Sequence, residues 1–282
     1  MTTLTLLHPG EMGAAIGAQA VTAGHTVRWV TAGRSAATLR RAEAAGLTPC
    51  ASLSEALDGS DLAVSVCPPQ AAEGVAAEVA ALGFAGIYLD ANAISPHRAE
   101  RIAEGAAGCA LDGAIIGPPP RDGKQARLYL SGDRYVAEQV EAVFMNTTVH
   151  TRYAGDGVGA ASALKMSFAS FQKTARTLAA VAHALADAHG VADLLKDEAR
   201  RMPSAILADS GYLPSVAGRA WRWKPEMYEI TDTMVAAGLP GDLATATAAV
   251  LNRWAHDKDR YDLPLAEVLA HLRQEPAPAP AD

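Results

Sequence analysis

The stretch Thr3–Val30, TLTLLHPGEMGAAIGAQAVTAGHTVRWV, decides the first half of the fold. It begins with a short apolar run, passes through the glycine turn Gly10–Gly13, continues through an Ala-rich segment, and reaches a second β-rich run at Thr26. A strand, a glycine turn, a helix and a second strand in this order predict a βαβ unit with parallel strands.

The glycine turn has the features of a dinucleotide phosphate site. Gly10 and Gly13 occupy two positions of the pattern G-x-G-x-x-G, and His8 stands where the first glycine belongs. Gly10 lets the backbone approach a pyrophosphate, Gly13 lets the helix pack on the strand, and free N–H groups at the helix start bind anions. The alternative is a tight glycine turn that binds no ligand.

The end of the second strand indicates which dinucleotide this unit prefers. An NAD-binding unit usually places Asp or Glu about 20 residues after the glycines, where it binds the ribose 2′-hydroxyl. Here Thr31 is followed by Arg34 and Ser35, and no acidic residue occurs before Glu43. Because a guanidinium forms paired hydrogen bonds with phosphate oxygens, this pattern favours the 2′-phosphate of NADP(H). The alternative for Arg34 is a solvated cation in a loop.

Strand-like and helix-like segments continue to alternate through the first half. Further strands are predicted at Leu47–Cys50, Leu62–Cys67, Gly86–Asp90, Cys109–Ile115, Gln125–Ser131 and Thr148–Tyr153. Such alternation predicts an α/β fold with a Rossmann-type, doubly wound parallel sheet, whose ligand site lies at the carboxyl ends of the strands. The loops expected at those ends contain Pro68 and Pro69, Asn92, and the run Gly117–Pro120.

The segment Gly155–Gly190 joins the two halves of the chain. Asp156 is a suitable N-cap, Gly190 is a suitable residue after a helix end, and the Ala-rich sequence between them predicts one helix over residues 157–189. At 1.5 Å per residue this helix would be roughly 50 Å long, which predicts an interdomain helix. An apolar stripe at helical spacing is expected to be covered, and it comprises Leu164, Phe168, Phe171, Ala175, Leu178, Ala182 and Leu185.

After Gly190 the sequence indicates helices only. They are expected at about Leu194–Ser210, Ser215–Gly238 and Asp242–His256, with a last one from Pro264. Pro203 and Pro225 should kink or divide the segments that contain them.

The predicted organisation therefore has three parts. An NADP-binding Rossmann domain covers residues 1–152, and an all-α substrate and dimerisation domain covers 153–273. A Pro/Ala-rich tail over 274–282 is expected to be disordered.

Composition excludes several other classes of protein. The formal net charge of −7 and the lack of a basic cluster argue against nucleic-acid and anionic-membrane partners. Three cysteines fit neither a disulfide framework nor a zinc site, and the histidines show no metal-ligand spacing, so no metal is predicted. The free cysteines and the absence of a signal-like or membrane-spanning run predict a cytoplasmic protein.

Four short motifs lie at the predicted strand ends, in the order Gly10–Gly13, Asp90–Pro96, Leu111–Gly117 and Val158–Lys165. Together they resemble the β-hydroxyacid dehydrogenase and 6-phosphogluconate dehydrogenase superfamily, which includes imine reductases. The later sequence, including Gly218–Met227, resembles a branch of phosphogluconate-dehydrogenase-like reductases with its own all-helical C-terminal domain. The resemblance implies a small-molecule substrate and a homodimer in which the partner's helical domain completes each active site.

The sequence departs from the family's pattern in four ways. His8 replaces the first glycine, Asn92 and Ala93 replace a Ser-Thr pair, Ile116 replaces a serine, and Phe168 replaces an asparagine one turn after the lysine. In the family those polar groups bind the substrate carboxylate and support the lysine. The departures argue against a simple 3-hydroxy acid as the substrate.

Lys165 is the residue predicted to carry the chemistry, because it matches the family's catalytic lysine. It would protonate a developing alkoxide during reduction, or accept the proton during oxidation, while NADP(H) exchanges the hydride. The alternative is a lysine that reaches solvent or pairs with Asp156 or Glu226. Asn92 is the second candidate, through a hydrogen bond to the cofactor ribose or the substrate oxygen; its alternative role is to stabilise a turn.

The remaining candidates fall into two groups. The predicted cofactor contacts are Gly10, Glu11, Met12, Gly13, Thr31, Arg34, Ser35, Cys67, Pro68, Pro69 and Asn92. The predicted substrate contacts are Ile116, Gly117, Pro118, Phe168, Trp221 and Glu226.

Three functions remain as hypotheses. The leading one is an NADPH-dependent oxidoreductase that acts on a small carbonyl or hydroxyl compound. The second is an imine reductase acting on a C=N bond. The third is a dinucleotide-binding protein without catalytic activity.

Overall fold

A computed structural model describes residues 1–202, 206 and 209–273. The backbone forms two compact units, Met1–Met166 and Ser167–Asp282. The division falls inside the long helix, whereas the domain boundary expected from the sequence lies before that helix, between residues 152 and 153. The strand and helix content of the first unit and the helical content of the second confirm the predicted fold class.

An eight-stranded sheet forms the centre of the first unit, with the strand order β3-β2-β1-β4-β5-β6-β7-β8. Its strands are β1 Thr3–Leu6, β2 Thr26–Val30, β3 Thr48–Cys50, β4 Leu62–Ser65, β5 Ile87–Asp90, β6 Cys109–Ile116, β7 Ala126–Ser131 and β8 Val149–Gly155. The reversal of strand order at β1 and β4 is the switch point of a doubly wound sheet.

One strand pair departs from the expected parallel arrangement. β6 and β7 are antiparallel, and β8 is again parallel to β7. The reason lies in the connection, since no helix separates Ile116 from Ala126 and parallel neighbours need a longer crossover. The other neighbouring strands, from β3 to β6, pair in parallel.

Six helices accompany the sheet in the first unit. They are α1 Glu11–Thr22, α2 Ala36–Ala44, α3 Leu53–Leu57, α4 Ala72–Ala81, α5 Pro96–Gly105 and α6 Arg134–Val143, and a 3₁₀ turn at Pro69–Ala71 precedes α4. Two separate hydrophobic clusters form, one containing residues of α1, α2 and α6 and the other containing residues of α3, α4 and α5. Two cores, each shared with the strands, are what a sheet covered on both faces produces.

The long helix α7, Ala160–Ala188, begins later than the sequence indicates. Asp156 does not cap it, because the Asp156 carboxylate accepts a hydrogen bond from the Tyr153 hydroxyl at 2.5 Å. Gly159 has a positive φ of 98°, so the chain turns there before the helix starts. At the other end Gly190 has a φ of 69°, and Val191 N donates to Ala186 O, as in a Schellman-type termination.

The apolar stripe of α7 is exposed in the single chain, which contradicts the expected burial. Phe171, Leu178 and Leu185 are 69%, 65% and 63% exposed, and Phe168 is 42% exposed. The small residues on another side of the helix are buried instead, among them Ala179 and Ala180. Small side chains let neighbouring helices approach closely, and this approach accounts for the choice of face.

The second unit is helical in its described residues. Its further helices are α8 Ala192–Ala199, α9 Leu213–Ala236, α10 Asp242–Leu251 and α11 Leu265–Arg273, with a 3₁₀ segment at Asn252–Asp257. Helix α9 continues past Pro225 rather than dividing there. The helix expected over Leu194–Ser210 ends at Ala199, and both its Pro203 and the tail 274–282 lie outside the described residues. Trp254 is fully buried and donates to Val268 O at 2.9 Å, so it belongs to the core of this unit.

Candidate active site

The carboxyl ends of β1, β4, β5 and β6 meet at one edge of the sheet, because these four strands are parallel neighbours. The loops that follow them contain Gly10, Cys67, Asn92 and Gly117 respectively. Open α/β sheets bind their ligands at this edge, outside a switch point. Four of the predicted site loops are therefore brought together by the topology.

The glycine turn after β1 leaves room for a ligand at one position and none at the other. A Cβ atom built on Gly10 would meet no atom within 4 Å, whereas one on Gly13 would lie 2.3 Å from the carbonyl oxygen of His8. Helix α1 starts at Glu11 with no side-chain cap, so no side chain of the cap residue accepts from its first amide groups. These features fit the pyrophosphate of a dinucleotide.

Arg34 folds back onto the end of β1. Its Nη2 donates to Leu7 O at 3.0 Å, and its buried Nε has no hydrogen-bond partner within the described part of the chain. The buried Nδ1 of His8 also lacks a partner among those residues. Burial and the Arg34 charge lower the pKa of His8 from 6.5 to about 4, so the imidazole is neutral near pH 7. Two unpartnered nitrogen atoms beside the glycine turn are suited to an incoming polar ligand.

Glu11 is bound to two arginines that sequence reasoning missed. Arg121 Nη2 donates to its carboxylate at 2.5 Å, and Arg41 Nε donates at 3.1 Å. Burial opposes ionisation of Glu11, but these two cations outweigh it and lower its pKa. Arg41 also donates to Pro9 O at 3.2 Å. Arg121 lies 110 residues from Glu11 in the sequence, so residue spacing does not predict this contact, which only the folded chain creates.

Thr31 and Ser35 both contribute to the local structure after β2. Thr31 Oγ1 donates to Cys50 O at 3.3 Å, and Arg34 N donates to Thr31 O at 3.2 Å. Ser35 Oγ caps α2 by accepting from Thr38 N at 3.3 Å. The predicted 2′-phosphate residues therefore lie in one ordered turn.

The loop after β4 is organised by Asn92. Its Oδ1 accepts from Cys67 N at 2.6 Å, and its Nδ2 donates to Ser65 Oγ at 3.0 Å and to Asp90 Oδ2 at 2.9 Å. Asn92 is buried, and these hydrogen bonds of its amide link the ends of β4 and β5. Burial raises the pKa of the Cys67 thiol to about 11, which leaves it unreactive near neutral pH. Pro69 accepts from Arg98 Nη2 at 2.8 Å.

Asp90 is a second buried titratable group at this edge. Burial raises its pKa to about 7, while hydrogen bonds from Asn92 oppose that increase and the neighbouring Asp112 adds to it. Asp90 and Asp112 are register partners on β5 and β6.

Lys165 lies in the second turn of α7, at the carboxyl end of β6. Its Nζ donates to Ile115 O at 2.7 Å, and the residue is half-buried. The alternative partners suggested by the sequence have other contacts, since Asp156 binds Tyr153 and Glu226 binds Lys173. The structure thus brings the predicted lysine to the edge of the sheet where the glycine turn also lies.

The predicted substrate loop begins next to Lys165. Ile116 is buried, and Gly117 has a φ of 128° that favours glycine. A Cβ at Gly117 would lie 3.0 Å from Gln125 O, so the turn into Pro118 requires the missing side chain.

The other three predicted substrate residues belong to the second unit. Glu226 forms a largely buried ion pair with Lys173. Trp221 donates from Nε1 to Asp259 at 3.3 Å, and Lys258 Nζ lies 4.2 Å from the centre of its ring. Phe168 is partly exposed on α7. Glu226 and Trp221 therefore each bind a partner within the second unit.

Two whole-chain properties complete the description. No group of three or more His, Cys, Asp or Glu side chains in residues 1–202, 206 and 209–273 is arranged to hold a metal ion. Over the same ranges, every helix is too short or too polar for a bilayer crossing.

Two family models match the sequence. Residues 3–92 match "NADP oxidoreductase coenzyme F420-dependent", and residues 186–254 match "Domain of unknown function (DUF1932)". No curated protein matches.

Solved structures share the fold over nearly the whole chain. A 3-hydroxyisobutyrate dehydrogenase of Mycobacterium tuberculosis, in a structure with L-serine, is 21% identical with a TM-score of 0.77, and 97% of this chain and 100% of that chain align. An imine reductase of Streptomyces aurantiacus is 21% identical with a TM-score of 0.58, over 97% and 100% of the two chains. A reductive aminase of Aspergillus terreus, in complex with NADPH and ethyl-5-oxohexanoate, is 21% identical with a TM-score of 0.60 over the same shares.

The glycine turn, the lysine at the end of β6 and the helical second unit occur in one chain in the order that the sequence motifs indicate. The two family matches cover residues 3–92 and 186–254, and the chain shares the fold of 3-hydroxyisobutyrate dehydrogenases and imine reductases.

Proposed function

We propose that this protein is an NADPH-dependent reductase or dehydrogenase that transfers a hydride to or from a small carbonyl or hydroxyl compound, with Lys165 as the proton donor and acceptor. The observation that carries this proposal is the position of Lys165 Nζ, 2.7 Å from Ile115 O at the edge that also contains the glycine turn. An ammonium group held at that edge can donate a proton to an oxygen atom of a ligand bound there.

The residues of this chain would divide the work as follows. The open face of Gly10 and the first amides of α1 bind the pyrophosphate, which fixes the dinucleotide along the sheet edge. Bound NADPH supplies the hydride. Lys165 donates a proton to the oxygen that gains negative charge during reduction, and Ile115 O orients its ammonium group beforehand. In the oxidative direction the neutral amine accepts the same proton.

The preference for NADPH rests on Arg34 and its surroundings. The unpartnered Nε of Arg34 supplies a charged donor near the end of β2, and the turn from Thr31 to Ser35 contains no carboxylate that would bind a 2′-hydroxyl. The 2′-phosphate is the group that such a turn binds best.

Asn92 contributes by positioning in this proposal. Its amide already bonds to Cys67, Ser65 and Asp90, so it would fix the ends of β4 and β5 at the edge where the cofactor would bind. Because Oδ1 and Nδ2 of Asn92 both form hydrogen bonds within the protein, we do not assign Asn92 to binding of a substrate carboxylate.

That engagement favours a second candidate function, the reduction of a C=N bond. Buried Ile116 and the engaged Asn92 leave two of the family's carboxylate-binding positions without a free polar group. Reduction of a C=N bond does not require residues that bind a substrate carboxylate. Imine reductases are among the solved structures with this fold.

We also propose a homodimer. The exposed stripe of α7, with Phe171, Leu178 and Leu185, is a continuous apolar face of the kind that a second copy covers. A cytoplasmic location suits the three free cysteines at positions 50, 67 and 109.

A substrate panel tests the proposed function. NADPH consumption is followed with aldehydes, ketones, 2-oxo acids, 3-oxo acids and cyclic imines, for the wild type and for Lys165→Ala. The proposal predicts carbonyl turnover that Lys165→Ala lowers by about 100-fold to 10,000-fold. Imine turnover that survives Lys165→Ala would support the second candidate, and tight NADPH binding without any turnover would contradict both.

A further inference from the structure

Asp112 is a buried carboxylate on β6 that none of the roles above includes. It is 1% exposed, and its two oxygens accept four hydrogen bonds. Ser162 Oγ donates to Oδ1 at 2.6 Å, while Ser162 N, Gly159 N and Ser131 Oγ donate to Oδ2 at 2.9, 3.0 and 3.0 Å. Such a set of donors suits the ionised carboxylate, which only accepts hydrogen bonds.

Most of these donors belong to the start of α7. The first amide groups of a helix have no partner inside the helix, and the helix dipole favours a negative charge there. Asp112 supplies both the acceptor and the charge from a strand about 50 residues earlier in the chain. Ala161 N adds a bond to Ser131 Oγ at 3.0 Å, so Ser131 extends the same cap.

The geometry links this cap to Lys165. Asp112 and Ile115 are three residues apart on β6, and Ser162 and Lys165 are three residues apart on α7. The strand therefore holds the helix at two points, through the carboxylate at the helix start and through Ile115 O at the lysine Nζ. A shift of the helix start would move the lysine by a similar distance.

We propose that Asp112 is a positioning residue that fixes the first turn of α7 so that Lys165 reaches the carboxyl end of β6. This inference rests on the proposed function, because it assigns Asp112 a role in the reaction through Lys165. Asp112 contacts neither cofactor nor substrate in this role. Burial raises the pKa of Asp112, and the hydrogen bonds from Ser162, Ser131 and Gly159 oppose that increase.

Two variants and one control test the proposal. Asp112→Asn keeps the size of the side chain but presents N–H groups to donors. Ser162→Ala removes only the bond from Oγ to Oδ1 and leaves the backbone bonds, so it carries the test if Asp112→Asn fails to fold. The matched control is Asp257→Asn, which removes another fully buried carboxylate, in the second unit.

The kinetic readout is the separation of kcat from cofactor binding. Displacing a reacting group by an ångström costs about 100-fold, so kcat of Asp112→Asn should fall by about 10-fold to 100-fold while the Kd for NADPH stays within about twofold. Ser162→Ala should show a smaller decrease in kcat, and Asp257→Asn should leave kcat per folded molecule unchanged. In the Lys165→Ala background, Asp112→Asn should have almost no further effect, because a residue acting through the lysine has nothing left to position. Equal effects of Asp112→Asn in both backgrounds would overturn the proposal.

Amide hydrogen exchange separates this inference from the proposed function. Asp112→Asn should accelerate exchange at Gly159, Ala161 and Ser162, and it should shift the Lys165 side-chain NMR signal, whereas Asp257→Asn should do neither. If the wild type turned over no substrate, the proposed function would fail, and the exchange and NMR results would still decide the anchoring. Unchanged exchange at those amides, or an unchanged Lys165 signal, would refute the positioning role.

Discussion

At the residue scale, Lys165 and Arg34 carry the two chemical demands of the proposed reaction, a proton at the substrate and a positive charge at the cofactor. Both are polar groups placed beside backbone carbonyls, Ile115 O for the lysine and Leu7 O for the arginine. Each carbonyl orients a long side chain that would otherwise sample many rotamers. The side chain therefore loses this conformational entropy on folding rather than on ligand binding.

The cofactor preference provides a test of Arg34. Replacing Arg34 with Ala should weaken NADPH binding by about 10-fold to 100-fold, the value of one or two charge-assisted hydrogen bonds, and should leave NADH binding nearly unchanged. Titration calorimetry with both dinucleotides measures the effect. Arg40→Ala, which removes an exposed cation on the following helix α2, is the control and should alter neither affinity. Equal NADPH and NADH affinities in the wild type would contradict the 2′-phosphate argument.

His8 predicts a pH dependence of stability. Its pKa is about 4 in the folded chain and near 6.5 unfolded, so the unfolded state binds more protons between those values. The stabilising contribution is complete above about pH 6.5 and is lost as the pH falls through 4; after allowance for partial exposure it is about 1–2 kcal/mol. Urea unfolding from pH 7 to pH 4 should therefore show a steeper loss for the wild type than for His8→Gln. Parallel curves for the two proteins would rule out this account of His8.

At the scale of single elements, the sequence predicts the features that depend on residues close together in the chain. The glycine turn and the alternation of short strands with helices are local, and the structure confirms them. The cap of α7 comes from Asp112, and the bonds of Asn92 reach back to Ser65 and Cys67, so neither follows from residue spacing. The sequence pattern also predicts an apolar face on α7. It does not predict which face the single chain buries. The buried face is the one with small residues, because small side chains let neighbouring helices pack more closely.

The exposed face of α7 predicts an association between two copies. Replacing Leu178 with Glu places a charge on an apolar surface, and sedimentation velocity should then show a monomer where the wild type is a dimer. The same substitution at Leu82, an exposed residue at the end of α4, is the control and should leave the dimer intact. A wild type that sediments as a monomer at micromolar concentration would contradict the proposed dimer.

At the scale of the whole molecule, a doubly wound sheet supplies the ligand edge, and a helical second unit follows on the same long helix. The parallel order of β1, β4, β5 and β6 gathers four loops that are far apart in the sequence. Motif order predicted this gathering because parallel strands with helical crossovers have few possible arrangements. The substrate depends on individual side chains around that edge, and His8, Asn92 and Ile116 there differ from the pattern of the resembled family, so the fold does not determine it.

The central claim is that Lys165 delivers the proton, and chemical rescue tests it most directly. In Lys165→Ala, kcat with a carbonyl substrate should fall by about 100-fold to 10,000-fold while the Kd for NADPH is retained. Added small primary amines should restore part of the rate, and more acidic ammonium ions should restore more of it at a given concentration of the protonated form. Turnover by Lys165→Ala at the wild-type rate, without any added amine, would contradict the account.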